Sequence, residues 1–421
     1  MNHKIGKQQI LVLILLVTML AAASLLELGS NSVGMPPIIL TLRYLFVFAG
    51  LLGVFLLSLK DKSNWQNWKF NRETAPLLGI WILFCIAIEV SGCINNDLIA
   101  IRDGYWLMIG VPLFFFVAIP RLLKGTGNLI VPLSIVISHM PFLLLSFILN
   151  PPSTANQIFY SGILGNSNQL GFVSAVTGAG ILILLMGSYY AKKSYWLIGF
   201  LAFLLALILG ILSIAFARTS IISLLFLIFI AATIYFTGKP KSLIKIVFLI
   251  SFAISLVMLQ LDKIIRFVFY DLRIDPASMF QKKEAGLSGR EEIWLRTIQE
   301  LTLFGHGSNY YDSFEHGPHN TVIKTLGMYG VISMYITIFF AIASFIYAYA
   351  YFRANFKHNF YAIAPLIITT CFWTLSLGED MFGSLGKGIT LGYFATLGVL
   401  MTEYVPQKSS ETLSLMPKKR A

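Results

Sequence analysis

Three residues of types that handle anions or protons stand where polar sequence gives way to an apolar run. Arg290 lies in Leu287-Ser288-Gly289-Arg290-Glu291-Glu292-Ile293-Trp294, where Ser288 and Glu291 have capping-box spacing. The spacing predicts a helix from here to about Leu301, with Trp294, Ile298 and Leu301 on one face, lying on a membrane surface. Arg290 would then sit among the free N–H groups of a first turn, a good place to bind an anion. Pairing with Glu291, Glu292 or a lipid headgroup is the plainer alternative. His319 follows Pro318 in His316-Gly317-Pro318-His319-Asn320, before a helical pattern of Val322, Ile323, Leu326 and Tyr329. A histidine at the start of that helix can act as a general base near neutral pH. A zinc site of His306, His316, His319 and Asp312 is the rival, although no HExxH or cysteine pair supports it. Arg218 opens a further apolar run in Phe216-Ala217-Arg218-Thr219-Ser220. It is either a snorkelling anchor or a second anion ligand.

Two weaker signals accompany these. Gly162-Ile163-Leu164-Gly165-Asn166-Ser167-Asn168-Gln169-Leu170-Gly171 is uncharged and rich in glycine and asparagine. Asn166 and Asn168 could hydrogen-bond a sugar or phosphate, and a simple helix-starting turn explains them equally well. Arg43 lies inside an apolar run, where Glu27 or Glu89 are candidate partners.

The elements that must position these residues are membrane helices. Of 421 residues, 57% are hydrophobic and 12% charged, about half the charge of a soluble domain. Soluble enzymes, disordered tails and disulfide-stapled modules are excluded. Cys85, Cys93 and Cys371 form no framework. Continuous apolar runs predict an all-α polytopic membrane protein with about twelve spans, near 9–27, 38–59, 75–92, 104–119, 128–149, 168–187, 194–213, 218–237, 243–260, 328–352, 361–378 and 386–404. Strands are not expected, because lipid-facing barrels alternate in polarity. Lys4, Lys7 and the run Ile10–Leu20 have the outline of a cleavable signal segment, but apolarity continues to Leu26 and favours a retained first helix.

The net charge of +12 is topological. Counting alternate loops, nineteen Lys and Arg fall on one side, against Arg102, Arg218 and Lys387 in the opposite short loops. That asymmetry places both termini in the cytoplasm and makes nucleic acid an unexpected partner. One membrane domain, 1–421, is expected, with a single large outer loop at 261–327 that holds three of the six histidines.

The GNxNxxG-like turn before a helix, an arginine starting a later span, and one outer loop carrying SGR and W and ending in HN together resemble the O-antigen ligase and polymerase superfamily. The order of spans and loop agrees over nearly the whole chain. The resemblance implies a GT-C-like fold and metal-independent, inverting glycosyl transfer without a cofactor. It implies a glycan donor on undecaprenyl diphosphate, a lipid A core, glycan or protein acceptor, and the outer face of the bacterial cytoplasmic membrane. It carries functional roles onto Arg218, Arg290 and His319, with the arginines on the diphosphate. Asn166, Asn168, Ser288 and Asn320 are expected around them as substrate-binding residues. Ligase is favoured slightly over polymerase. The short stretch between Arg290 and His319 leaves little room for an acceptor domain. A secondary transporter and a non-catalytic scaffold are the competing classes. Glu27, Glu89, Asp97, Glu379 and Asp380 all lie near outer ends rather than at the midplane, which weakens ion coupling.

Overall fold

The computed structural model describes residues 6–24, 37–60, 71–151, 160–164, 166–215, 217–237, 290–314, 317–382 and 387–404. Among these the chain is all helical. Eight helices come first: α1 (Lys7–Ser24), α2 (Pro37–Lys60), α3 (Ala75–Ile94), α4 (Leu98–Leu122), α5 (Gly127–Leu149), α6 (Ser167–Tyr190), α7 (Tyr195–Ala215) and α8 (Arg218–Thr237). Then come α9 (Arg290–Gln299), α10 (Thr321–Asn355), α11 (Ala364–Ser376) and α12 (Gly388–Glu403). Nine of the described helices are long and apolar enough to cross a membrane, namely α1 to α8 and α10. The chain is a multi-pass membrane protein. The shorter α11 and α12 occupy the last two expected spans, and the span expected at 243–260 lies outside the described residues.

Helix α6 is the axis of the bundle. Buried residues make up 94% of its membrane-length window, against 22% for α7. Small residues make this possible, since they let neighbouring backbones approach without a side chain between them. Gly171 lies against Ala217 and Ser220 of the α8 start, and Gly180 against Val136 and the Pro132 carbonyl of α5. A second knot is aromatic. Trp81 is fully buried, with Phe340, Phe382 and Phe394 at ring distances of 5.4, 5.6 and 4.9 Å. Its indole N–H donates to the Leu107 carbonyl at 3.2 Å. Helix α1 buries Val12, Leu16, Met19 and Leu20 and packs against α2, α5 and α12, so it is a full member of the bundle.

Of the loops grouped by charge, the parts among the described residues share an end. Thr74 donates to the Met401 carbonyl at 3.0 Å, and Glu403 accepts from Gly125 N, Asn128 Nδ2 and Tyr351 OH at 2.9, 3.1 and 2.8 Å. Tyr190 stacks on Phe360 at the same end. Residues 71–75, 122–128, 190–195, 351–363 and 401–404 thus form one basic end.

Two helices depart from regular geometry for stated reasons. In α4, Val111–Ala118 is a π-helical stretch containing Pro112 and followed by Pro120. Proline lacks the N–H of the ladder and its ring crowds the carbonyl four residues back, so the wider turn relieves both. Helix α10 breaks at Gly330, whose φ of 86° and ψ of −179° are open only to glycine. A Cβ there would strike the Leu303 carbonyl oxygen. The break is closed by the segment at 302–307. Val331 N donates to Thr302 O at 3.0 Å, His306 N to Gly327 O at 2.9 Å, and Gly307 N to Met328 O at 2.9 Å. Backbone groups freed at membrane depth need such partners.

The break folds the chain back. A straight helix would separate Thr321 and Phe340 by about 28 Å. Yet Thr321 Oγ1 lies 3.5 Å from Phe382 N, and the Phe340 ring is 5.6 Å from the Phe382 ring. The arm at 321–329 therefore dips into the bundle and carries its N-terminus inward, while 331–355 makes the span.

Candidate functional site

The centre of the site is the turn at 377–382, between α11 and α12. Three segments converge on it. Asn320 caps the inward arm: its Oδ1 accepts from Val322 N and Ile323 N at 2.9 and 3.1 Å, and its Nδ2 donates to Leu377 O at 3.0 Å. Thr321 Oγ1 accepts from Met381 N at 3.1 Å. From the first turn of α9, Arg290 Nη1 donates to Gly378 O at 3.2 Å, and its Nη2 lies 3.9 Å from Glu379 Oε1. His319 Nδ1 is 2.9 Å from Glu379 Oε2. From α8, Thr219 packs against Gly378.

Glu379 thus touches both the arginine and the histidine through its two oxygens. A carboxylate only accepts, so Nδ1 of His319 carries a proton, and in the neutral imidazole Nε2 is the acceptor nitrogen. His319 is held in a left-handed conformation, φ 45°, which few non-glycine residues adopt. The Glu379 and Arg290 side chains are 15% and 21% exposed, so the pair is partly desolvated and still open to a ligand. Asp380 is paired to Lys324 of the inward arm, and Lys387 donates to the Asp380 carbonyl. Three cations, Arg290, Lys324 and Lys387, thus meet the two acidic residues of this turn, and the N-terminus of the inward arm adds positive potential.

The residues expected from sequence are distributed as follows. Arg290, His319 and Asn320 are gathered on the turn. Arg218 starts α8 at the same corner, next to Thr219; its side chain is exposed and pairs with none of the described residues. Ser288 lies outside the described residues. Asn166 spends Oδ1 on Gln169 N at 2.9 Å and its own N–H on Gln169 Oε1 at 3.1 Å, a full capping box. This segment adjoins the Arg218 corner through Gly171, with Asn168 half-buried. Arg290 pairs with Glu379 rather than with its own neighbours. Helix α9 ends at Gln299, and its buried face is Ile293 and Thr297; Ile298 and Leu301 are exposed, while Trp294 donates to Pro318 O at 2.7 Å.

No three His, Cys, Asp or Glu side chains gather as metal ligands among the described residues. His306 and His319 belong to different places: His306 Nε2 donates to Glu300 O at 2.6 Å, and His316 lies outside the described residues. Arg43 is buried with its guanidinium 4.1 Å from the Tyr44 ring, and its Nε has no hydrogen-bond partner among the described residues. Glu89 is not that partner; it packs on Gly104. Glu27 lies outside the described residues.

Glu379, Lys324 and Lys387 were not singled out as site residues by spacing. The one signal was the acidic pair Glu379-Asp380 between two apolar runs, on the side where His319 and Arg290 were expected. Compared with models of known families and with curated proteins, the chain finds no match.

Proposed function

We propose that the chain is a membrane glycosyltransferase of the O-antigen ligase type, with a twelve-span, GT-C-like bundle. It takes a glycan from undecaprenyl diphosphate and passes it to an acceptor hydroxyl at the outer face of the bacterial cytoplasmic membrane. The basic end then faces the cytoplasm, in keeping with the charge asymmetry. The observation that carries this reading is the Arg290–Glu379–His319 set, at the tip of a helix arm turned into the bundle. Cations and a helix N-terminus suit a diphosphate, and an oriented imidazole suits a hydroxyl.

In this mechanism Arg290 and Arg218 hold the diphosphate oxygens. The acceptor oxygen attacks the anomeric carbon from the face opposite the diphosphate. The bond between the anomeric carbon and the diphosphate oxygen breaks, and its electron pair leaves on that oxygen, whose growing charge the arginines stabilise. Nε2 of His319 takes the acceptor proton, and Glu379 stabilises the resulting imidazolium across Nδ1. Configuration inverts. The diphosphate is already an activated leaving group, so no nucleotide is consumed.

The test is deletion followed by glycan analysis, with wild type, Arg290→Ala and His319→Ala restored at equal levels. Polymer accumulating on the carrier without attachment supports the ligase reading. Single repeat units on the carrier identify a polymerase instead. An unchanged glycan profile in the deletion strain, or full function of both variants, refutes glycosyl transfer by this site.

A further inference from the structure

A second cleft opens where α3 ends and α4 begins, away from the 377–382 turn. It has a volume of about 330 Å³, within the range of small-ligand sites. Asn96 and Asp97 form one wall; His306, Ser308 and Asn309 form the other; Leu98 and Ile99 make the rim. Helix α9 separates it from Arg290. That helix is ten residues long and runs about 15 Å from Arg290 to the end where His306 of the cleft bonds the Glu300 carbonyl.

The chemistry of this cleft differs from that of the first site. Its one charge is already used: Asp97 Oδ1 accepts from Ile99 N and Ala100 N at 3.0 and 3.1 Å, and Oδ2 accepts from Ser308 N. No lysine or arginine lines it. What it offers a ligand is neutral. The Asn96 side-chain amide has no partner among the described residues, and neither does Asn309 Nδ2. His306 gives its Nε2 proton to Glu300 O and keeps Nδ1 as an acceptor. Its ring stacks on Tyr310 at 4.6 Å, and Tyr310 OH donates to Glu300 Oε2 at 2.8 Å, so the plate is fixed. Neutral donors and acceptors beside an aromatic plate and an apolar rim match a group carrying many hydroxyls and exposed C–H faces. They match a phosphate or a metal ion poorly.

We infer that this cleft is a glycan subsite, which holds neutral sugar residues of the donor or acceptor chain a few units from the bond being made. The inference deepens the transferase reading and rests on it for the identity of the chain. The subsite keeps the polymer in register with the reaction point, so that affinity for the sugar is separate from affinity for the diphosphate.

The probe is the free glycan released by mild acid from the carrier lipid of a strain lacking this protein. It has no diphosphate and no lipid. Its binding to the full chain in nanodiscs is followed by saturation-transfer NMR. The expected results are saturable binding to wild type, the same affinity within about twofold in Arg290→Ala, and at least tenfold weaker binding in Asn309→Trp. Asn309 is exposed, so the indole fills the cleft from outside; an unchanged thermal midpoint confirms folding, and Asn96→Ala/Asn309→Ala provides a second, smaller variant. The same glycan still attached to its lipid should show the same Asn309→Trp defect. Absence of saturable binding to wild type overturns the inference. So does binding that survives Asn309→Trp, or binding lost in Arg290→Ala. Should glycan bind as expected while the wild type transfers nothing, the transferase reading fails and the subsite stands.

Discussion

Replacing Glu379 by glutamine keeps the shape of the site and removes the charge that orients His319. The His319 Nδ1 to Glu379 Oε2 contact is 2.9 Å, a charge-assisted hydrogen bond. Such bonds contribute about 1.5–3 kcal/mol. If that stabilisation is realised in the transition state, when the imidazole becomes charged, the rate falls roughly 10- to 150-fold at about 1.36 kcal/mol per decade. The glutamine amide can also present its NH₂ to Nδ1 and impose the wrong tautomer, which pushes the loss toward the upper figure. Arg290 keeps its hydrogen bond to Gly378 O at 3.2 Å, and its 3.9 Å ion pair with Glu379 lies beyond hydrogen-bond range. The KM for the carrier-linked donor should therefore change by less than about threefold, while kcat carries the effect. The assay is single-turnover transfer from a synthetic carrier-linked glycan by purified protein, with thermal midpoint as the control for folding. A Glu379→Gln enzyme within twofold of wild-type kcat refutes the orienting role. A loss confined to KM would instead make Glu379 a donor-site residue.

Other perturbations give separate readings. Arg290→Lys should lose most transfer activity despite its retained charge, because an ammonium cannot present the bidentate fork of a guanidinium to the diphosphate; normal turnover would dismiss the diphosphate clamp. Gly330→Ala should lower stability by about 1–3 kcal/mol from backbone strain alone, with more from the clash with Leu303 O, read as thermal midpoint in detergent. Asp97 is pushed up by burial, but hydrogen bonds from Ser308, Ala100 and Ile99 outweigh this and hold its carboxyl below the usual range. Its stabilising effect is thus present at neutral pH and lost as pH falls below about 4. Asp97→Asn should be less stable than wild type at pH 7 by about 1 kcal/mol, because an amide cannot match the charged acceptor that takes the Ser308 N–H, and the difference should narrow on acidification. Trp81→Ala should cost about 3–5 kcal/mol, since it removes a fully buried indole from the Phe340–Phe382–Phe394 cluster.

Much of the bundle was legible because lipid imposes long apolar runs, and these mark their own ends. Helix α8 begins at Arg218 and α5 spans 127–149, as the runs require. The Asn320 end of the inward arm was legible for a similar reason: the local pattern after Pro318 is helical and short-range. The fold-back at Gly330 was not. A helix after Pro318 and a span from 328 were both expected, and they meet at Gly330, but a single glycine in an apolar run does not reveal a reversal of direction. That depends on the 302–307 segment, about 25 residues earlier, which supplies the missing hydrogen bonds. Glu379 escaped for the same reason. Its partners Arg290 and His319 are 89 and 60 residues away, and pairing at that distance has no periodic signature.

The interruption at Gly330 also has a mechanical result. The membrane-crossing part of α10, 331–355, is tied at the basic end through Tyr351 and Glu403, whereas the arm at 321–329 is tied to the 377–382 turn. A span longer than the local hydrocarbon thickness tilts to fit. At Gly330 the direction of 331–355 is set separately from that of 321–329, so no continuous helix runs from the span to the His319–Glu379 contact.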